Sequence, residues 1–278
     1  MSKLFIIGMG FCGRELARRQ QALGWDVVGT HRPGRAEESC FEFDRTHPLP
    51  KSALDGVTHL LASVPPDESG DPAFDWLRTM GPCQDLEWVG YLSTTGVYGD
   101  HHGAWVTEAS ELLATMGRSA RRIEAERAWL NSGFPAHIFR LPAIYGAGRS
   151  ALDSVERGTA HRVIRPGYLF GRIHVADVAH VIAASFERPN PGAIYNVSDN
   201  EPAEPGQVIE YACKLLGVEP PPEVTWEQAH TVLSPMAQSF YLDNKKVDNS
   251  RIKTELGVTL LYPNFRAGLD ALLQERKG

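Results

Sequence analysis

The chain lacks the features that mark several large classes of protein. Its four cysteines, Cys12, Cys40, Cys83 and Cys213, include no CxxC pair, which argues against a disulfide framework or a zinc site. The sequence has no apolar run near the ~20 residues that span a bilayer, and no signal-peptide pattern at its N-terminus. We therefore expect a cytoplasmic protein with reduced thiols, no bound metal and no membrane partner.

Concentrated positive charge is also missing. The formal net charge is −6 at pH 7, and no run of Lys and Arg occurs along the 278 residues. This balance argues against nucleic acid or an anionic membrane surface as the main partner. Hydrophobic residues make up 42% of the chain and charged residues 22%, as in ordinary globular proteins, so a small molecule is the expected partner.

The most informative stretch is KLFIIGMGFCG at residues 3–13. Leu4 to Ile7 form an apolar run typical of a central parallel strand, and a helical pattern begins after the last glycine. Within GxGxxG, the first glycine makes a tight turn, the second lets a pyrophosphate approach the backbone, and the third lets the helix pack against the strand. The strand–loop–helix order favours dinucleotide binding over an ordinary tight turn. We predict cofactor contacts from Gly8, Gly10, Phe11, Cys12 and Gly13.

The end of the second predicted strand, Asp26 to Thr30, bears on the choice of cofactor. An acidic residue at this place usually binds the ribose hydroxyls of the cofactor, but here Thr30 is followed by His31 and Arg32. A guanidinium can pair with the extra phosphate of NADP. We therefore predict NADP, with NAD as the alternative, and contacts from Thr30 and Arg32. The other interpretation of Arg32 is an arginine in a solvated loop.

Short apolar strands and helical patterns alternate along the chain, which predicts an α/β fold: a doubly wound parallel (Rossmann) sheet with a smaller C-terminal substrate lobe. We assign residues 1–150 to the dinucleotide-binding core, with 173–198 returning to it, and residues 151–172 and 199–278 to the interleaved lobe. Strand ends border the ligand crevice in such sheets, so Ala62 and Ser63 should contact the cofactor. Asp44, after the third predicted strand, is either a partner for the adenine or a turn residue.

Motifs later in the chain resemble a known superfamily. They are LSTTGVYG at 92–99, FRLPAIYGAG at 139–148, RIHVADVA at 172–179 and AIYNVSDNEP at 193–202. With the glycine loop, and in this order, they resemble the extended branch of the short-chain dehydrogenase/reductase superfamily, the NAD-dependent epimerase/dehydratase group. The resemblance implies an NAD(P)-dependent oxidoreductase or epimerase/dehydratase-like protein that acts on a small polar substrate.

The resemblance also implies a Ser/Thr that holds the substrate oxygen, a Tyr that shuttles its proton and a Lys four residues later. Thr94 matches the Ser/Thr, but Arg118 and Arg122 stand at the Tyr and Lys positions. Arginine does not exchange protons in proteins, so Arg118 cannot replace the phenol, although Arg122 could bind ribose hydroxyls. We predict Thr94 and Arg122 as catalytic residues and Tyr98 as the substitute proton donor, unless Tyr98 is a packing residue. The other candidate donors are His101, His102, Tyr145 and Tyr168.

These departures look like the atypical short-chain dehydrogenases, a subgroup that often lacks the catalytic tyrosine. Arg118 and Arg122 share one helix face, where an anionic substrate would compensate their charges; the alternative for Arg122 is an exposed pair with Glu126. We predict substrate contacts from Thr95, Arg118, Tyr145 and Arg172. The second functional hypothesis is a non-catalytic NADP-binding sensor or scaffold that has lost the Tyr/Lys pair, and either protein would be a monomer or a homodimer.

Overall fold

The computed structural model of the protein describes residues 2–34, 40–81, 83–234, 237–238 and 241–277. Short 3-10 turns lie at Lys51–Leu54 and Thr95–Tyr98. In chain order, the strands and helices are β1 (Lys3–Ile7), α1 (Phe11–Ala22), β2 (Asp26–His31), β3 (Cys40–Glu42), β4 (His59–Ala62), α2 (Pro72–Thr79), β5 (Trp88–Thr94), β6 (Trp105–Val106), α3 (Gly117–Leu130), β7 (Ala136–Leu141), β8 (Ala143–Tyr145), α4 (Ala151–Glu156), β9 (Arg162–Ile164), β10 (Arg172–His174), α5 (Val175–Glu187), β11 (Ile194–Asn196), α6 (Pro205–Leu216), β12 (Glu223–Thr225), α7 (Ala229–Val232), β13 (Lys246–Val247), α8 (Ser250–Thr254) and α9 (Phe265–Glu275).

Seven of the strands form one sheet in the order β3-β2-β1-β4-β5-β7-β11, and every neighbouring pair is parallel. The chain runs outward from β1 to β3 and then crosses to β4, on the other side of β1. Because the strand order reverses between β1 and β4, a ligand crevice is expected there, beyond the carboxyl ends of the strands. The prediction of a doubly wound parallel sheet is confirmed.

Different helices cover the two faces of the sheet, since successive side chains of a strand point to opposite sides. Along β1, Leu4 and Ile6 pack into a core with α1 and α5, whereas Phe5 and Ile7 pack into a core with α2 and α3. These four side chains are fully buried. Burial on both faces explains why β1 is a continuous apolar run rather than an alternating one.

A further apolar core lies outside the sheet, where α4, α6 and α9 pack around Leu152, Val208 and Phe265. The limits of α6 are visible in the sequence: it begins with Pro205 and ends at Gly217, which adopts a left-handed conformation with φ of +69°. Short parallel ladders, β8 with β10 and β9 with β12, flank this layer. Of the helices in the described ranges, none combines the length and apolarity that a membrane crossing requires.

Candidate cofactor and substrate site

The glycine loop connects β1 to α1 at the switch point of the sheet. Gly8 has a φ of +102°, a value that favours glycine. Its N–H donates to Thr30 Oγ1 over 2.9 Å, and the Met9 N–H donates to the Thr30 carbonyl over 2.8 Å. Thr30 is buried and acts on the shape of this loop, so its predicted contribution to cofactor binding passes through the backbone of Gly8 and Met9.

The remaining glycines of the loop have opposite surroundings. A Cβ atom on Gly13 would lie 2.9 Å from the Gly8 carbonyl oxygen, so a glycine is needed for α1 to pack against β1. A Cβ atom on Gly10 would meet no atom within 4 Å. The open space therefore lies on the side of Gly10, at the N-terminus of α1.

The N-terminus of α1 has the chemistry of an anion site. In the described part of the chain, no side chain caps the helix at Gly10, and its first turn contains no acidic residue. The first backbone N–H groups, which include those of Phe11 and Cys12, lack partners within the helix and carry the positive end of its dipole. Burial raises the pKa of the Cys12 thiol to about 11, so this cysteine adds no negative charge.

The end of β4 borders the glycine loop. Ile7 is in register with Ala62, and the Ser63 N–H donates to the Ile7 carbonyl over 2.9 Å. A Cβ atom on Gly8 would lie 3.0 Å from Val64 Cγ1, so the residues after β4 touch the loop directly. Ala62 and Ser63 thus lie beside the expected path of a dinucleotide.

The end of β2 combines a positive and a negative group. Arg32 is exposed just beyond the strand, as the prediction of a phosphate contact requires. However, β3 places Glu42 opposite His31, and Glu42 Oε1 accepts a hydrogen bond from the Gly34 N–H over 3.1 Å. Residues 30–35 include no carboxylate, but the strand pairing brings Glu42 to this place. Glu42 would repel a ribose phosphate or accept from a ribose hydroxyl.

Asp44 has the geometry of a turn residue. Its Oδ1 accepts hydrogen bonds from the backbone N–H and the hydroxyl of Thr46 and from the backbone N–H of His47. These hydrogen bonds hold the pKa of Asp44 well below its usual range. Its proposed contact with adenine therefore depends on Oδ2.

Thr94 and Thr95 lie where β5 runs into the 3-10 turn. Ile7, Ala62 and Tyr91 are in register across β1, β4 and β5, so Thr94 lies three residues beyond the level of Ile7, the last residue before the glycine loop. The half-buried Thr94 accepts from the Gly96 N–H through Oγ1 over 3.1 Å, which leaves its hydroxyl hydrogen available to a substrate oxygen. Thr95 is buried, which argues against direct contact with a substrate.

The two arginines of α3 have different surroundings. Arg122 is half-buried, and its Nη1 donates to the Leu92 carbonyl and, over 3.0 Å, to the Tyr91 hydroxyl. These two hydrogen bonds anchor the guanidinium against the carboxyl end of β5, close to Thr94. The exposed Arg118 lies near the start of α3. The alternative of an exposed pair between Arg122 and Glu126 is wrong, because Glu126 is buried and pairs elsewhere.

Glu126 and Arg140 form a buried ion pair that the sequence reasoning missed. Arg140 Nη2 lies 2.7 Å from Glu126 Oε2, and the two side chains are 2% and 3% exposed. Ser93 Oγ donates to the same carboxylate. The pair joins α3 to the ends of β5 and β7. A sequence signal existed, since Arg140 is a charged residue inside the apolar strand AHIFRL.

The structure corrects the prediction that Tyr98 is the proton donor. The Tyr98 hydroxyl is buried; it donates to Asn196 Oδ1 over 2.7 Å and accepts from Arg140 Nη1 over 2.9 Å. The Tyr98 side chain packs in an apolar cluster with Val106, Ile123 and Val247, so its hydroxyl is committed to these buried contacts. Burial also raises the pKa of Tyr98. Tyr98 is a structural residue of the Glu126–Arg140 network.

Three of the other candidate donors already contact other groups of the protein. The His101 ring contacts the Glu111 carbonyl, the exposed His102 pairs with Asp100, and the buried Tyr145 hydroxyl points to the Asn264 carbonyl. Burial raises the pKa of Tyr145 above its usual range.

The half-buried Tyr168 stacks against Arg165, whose Cζ lies 3.4 Å from the ring centroid. Its segment approaches the loop that follows Thr94, because Asn244 bridges the two. Asn244 Nδ2 donates to the Gly167 carbonyl over 3.0 Å, and the Asn244 carbonyl accepts from the Gly103 N–H over 2.9 Å.

Arg172 lies on β10 beside β8. Its Nη1 donates to the carbonyls of Phe170 and Ala203, over 2.9 and 3.0 Å. Asp199 is nearby, 2% exposed, with an Oδ2 that has no hydrogen-bond partner among the described residues. Burial raises the pKa of Asp199 to about 7, although the charge of Arg172 acts in the opposite direction. The Asp199 N–H donates to the Arg172 carbonyl over 2.7 Å, and the two side chains interact electrostatically without forming an ion pair among the described residues.

His174 and Asp177 are structural residues at the start of α5. His174 caps α5, its Nδ1 accepting from the Ala176 N–H over 3.2 Å. Asp177 accepts from the backbone N–H groups of Leu261 and Tyr262, over 2.6 and 3.0 Å, which ties α5 to the segment before α9. Burial raises the pKa of Asp177 to about 6.

Known proteins resemble the chain over nearly its whole length. No protein-family model matches it. A solved structure of a functionally unknown conserved protein from Silicibacter pomeroyi DSS has 45% identity and a TM-score of 0.92, and the match covers 99% of both chains. The protein YeeZ of Escherichia coli (strain K12) is 27% identical over 95% of this chain and 97% of its own. Human epimerase family protein SDR39U1, solved with NADPH, has a TM-score of 0.77 at 15% identity, covering 98% of this chain and 99% of that one, which establishes a shared fold.

Proposed function

We propose that this chain, which belongs to one protein family with the Silicibacter pomeroyi protein and has the fold of the NAD-dependent epimerase/dehydratase group, binds NADP(H) and acts as an oxidoreductase or epimerase/dehydratase-like enzyme on a small polar substrate. The single observation that carries this proposal is the open space at Gly10, beside the uncapped N-terminus of α1. A pyrophosphate accepts hydrogen bonds from such backbone N–H groups and is favoured by the helix dipole.

In the proposed complex, the dinucleotide would follow the crevice from the glycine loop to the end of β5. The backbone of Gly10, Phe11 and Cys12 would hold the pyrophosphate, and Ala62 and Ser63 would line its path toward β5. Arg122, anchored beside Thr94 by the Leu92 carbonyl, would reach the ribose at the nicotinamide end. The bound cofactor would supply the hydride that is exchanged with a substrate carbon.

The choice between NADP and NAD depends on the end of β2. Arg32 would pair with the 2′-phosphate of NADP, a charge-assisted contact of about 1.5 to 3 kcal/mol. Glu42 weakens this preference, but its Oε1 is already used by the Gly34 N–H. We therefore keep NADP(H) as the proposed cofactor.

Thr94 would hold the reacting oxygen of the substrate, with Arg118 on the open side of the cleft as a contact for a polar substrate. A proton donor must come from outside α3, because an arginine cannot serve. Tyr168 is our candidate among the described residues: its segment is bridged to the loop after Thr94 by Asn244. A donor must come within about 3 Å of the oxygen that Thr94 holds, directly or through one water.

A second function, a non-catalytic NADP(H) sensor or scaffold, is favoured by one observation. Tyr98 is committed to the Arg140 and Asn196 contacts, so the loop beside Thr94 contributes no accessible phenol. Both hypotheses need the same cofactor cradle. They differ in whether a substrate is turned over.

The experiment that tests the shared part is the change Gly10→Ala. Gly10 has an ordinary φ of −86° and an empty Cβ position, so the variant should be as stable as the wild type in urea unfolding. Calorimetry should show NADPH binding weakened by roughly 10-fold or more, since the methyl group displaces a charge-assisted contact.

Gly13→Ala is the matched comparison. Its Cβ would press on the Gly8 carbonyl at 2.9 Å, so both stability and binding should fall. Unchanged NADPH affinity in Gly10→Ala, or no measurable affinity in the wild type, would refute the proposed function.

A further inference from the structure

A cavity of about 360 Å³ begins beyond the carboxyl end of β7 and extends between β10, α4, α6 and α9. We call it the arginine cavity, because the basic residues that line it are Arg149, Arg157, His161 and Arg172. Its volume lies in the range of small-molecule sites. No Asp or Glu is among the described residues that line it.

The arginine cavity adjoins the cofactor cradle. Its wall includes Ala143 and Ile144, which follow the last residue of β7, and β7 pairs with β5 at Thr94 and Leu141. Arg149 lies over the Phe11 ring of the glycine loop, with 5.6 Å between its Cζ and the ring centroid. A molecule in the cavity would therefore lie next to a cofactor bound at that loop.

The acidic residues of the surrounding elements are turned to other partners. On α4, Asp153 and Glu156 pair with Arg276, over 2.6 and 2.7 Å. Glu210 of α6 pairs with Arg162 over 3.0 Å, and Asp270 of α9 accepts from the Tyr211 hydroxyl over 2.8 Å. These four carboxylates are therefore paired with residues outside the cavity lining, and the carboxylate that acts electrostatically on Arg172 is Asp199.

Arg172 is the residue of the cavity lining whose charge most requires a partner. Within the described ranges it has no carboxylate at ion-pair distance, and its Nη1 is held only by backbone carbonyls. Desolvation lowers the pKa of Arg172, which shows that its charge is kept at a cost. Asp199 acts on this guanidinium electrostatically, but burial raises the pKa of Asp199 to about 7 and the two side chains form no ion pair. An anion in the cavity would therefore give Arg172 the charged partner that it lacks.

The remaining wall is largely apolar, with Ile144, Val208, Phe265 and Leu269, and also contains the hydroxyl residues Tyr145, Ser150 and Ser154. A ligand that matches this surface has a small apolar body and one anionic end. We propose that the arginine cavity binds the carboxylate or phosphate group of a small organic anion, and that this anion is the substrate of the proposed NADP(H)-dependent reaction. Only the second part of this inference, that the anion is the substrate, depends on the proposed function.

Calorimetry with defined probes tests the inference in the presence of saturating NADPH, so that the glycine loop is occupied. Benzoate and phenyl phosphate carry the expected anionic ends, inorganic phosphate lacks the apolar body, and benzyl alcohol lacks the charge. Benzoate, phenyl phosphate or both should bind at least about 10-fold more tightly than benzyl alcohol, the range for a charge-assisted hydrogen bond. The stronger of the two identifies the anionic group.

Variants separate the cavity from other anion sites. Arg172→Gln should weaken the stronger probe about 10-fold or more, and Arg172→Lys should restore part of that loss. Arg157→Gln, at the exposed rim, should weaken it by about 3-fold without affecting the fold. The matched control is Arg127→Gln, an exposed arginine of α3 that pairs with Glu124, and it should change nothing.

Three results would overturn the inference. The first is that neither anionic probe binds to the wild type, and the second is that the wild type and the Arg157/Arg172 double variant bind the probes equally. The third is that Gly10→Ala loses probe binding while the arginine variants keep it. If NADPH binds and neither anionic probe binds, the cavity proposal is refuted and the proposed function is unaffected. If the anions bind through Arg172 but NADPH does not bind, the cavity stands and the proposed function falls.

Discussion

Replacing Tyr98 by Phe distinguishes a structural tyrosine from a proton donor. The change removes only the hydroxyl, which bonds Arg140 Nη1 and Asn196 Oδ1 at 2.9 and 2.7 Å. Both partners are buried, so neither can replace the lost contact with bulk water. The cost of the substitution should therefore appear in the free energy of unfolding.

The size of that cost follows from the two contacts. A hydrogen bond from a charged guanidinium contributes about 1.5 to 3 kcal/mol, and one to a neutral amide about 0.5 to 1.5 kcal/mol. Tyr98→Phe should thus lower the free energy of unfolding by about 2 to 4.5 kcal/mol. Arg140 keeps Glu126 at 2.7 Å, which prevents the larger loss that a fully unpaired buried charge would cause.

Urea unfolding measures this loss as a lower midpoint at an unchanged m value. Tyr145→Phe is the matched control, because the Tyr145 hydroxyl lies 3.5 Å from its acceptor, beyond good hydrogen-bond geometry; it should cost less than about 1 kcal/mol. NADPH affinity should be the same in both variants. A Tyr98→Phe protein of wild-type stability that loses turnover would refute the structural assignment and restore Tyr98 as the donor.

Three other substitutions test neighbouring parts of the molecule. Arg32→Ala should remove about 1 to 3 kcal/mol of preference for NADPH over NADH, whereas Glu42→Gln should increase that preference; calorimetry with both cofactors checks this, and equal affinities of the wild type would contradict it. Glu126→Gln should lower the free energy of unfolding by about 3 to 5 kcal/mol, because it leaves the charge of Arg140 buried without its counterion; a midpoint within error of the wild type would contradict this. Asp199→Asn should change the pH dependence of stability. The pKa of Asp199 is about 7 in the folded chain and ~3.9 when unfolded, so its stabilising contribution is complete below pH ~4 and is lost as pH rises through 7. The variant should lack that decline and gain on the wild type at pH 8, and parallel stability curves would contradict the assignment.

Much of the fold could be predicted because its signals are local. The apolar run of β1 and the Gly217 stop of α6 each reflect a preference of a few adjacent residues. The glycine loop is readable for the same reason: Gly8, Gly10 and Gly13 answer three separate steric needs within one turn. The observed limits of helices and strands differ from the predicted limits by one to three residues, as at the start of α1.

The site was harder to predict because its decisive contacts are long-range. Tyr98 is close to Thr94 in sequence, but its hydroxyl bonds to Asn196 and Arg140 on other strands, and residue spacing alone does not reveal those partners. Glu42 reaches the end of β2 only through the register of β3, which neither segment encodes by itself. The buried partner of Arg140 comes from a helix that ends before β7 begins.

The arrangement of α3 is compatible with the proposed cofactor binding in the absence of the Tyr/Lys pair. A lysine at the position of Arg122 would supply both a positive charge and an exchangeable proton, whereas an arginine supplies only the charge. Because Glu126 is committed to Arg140, the charge of Arg122 is not cancelled by its neighbour one turn along the helix, and the Leu92 carbonyl holds it beside β5. The electrostatic role is therefore separable from proton transfer in this architecture. It follows that loss of the phenol by itself removes neither the cradle at Gly10 nor the charge near the ribose, so an enzyme with a donor at Tyr168 and a non-catalytic sensor would share these residues and differ only at the donor.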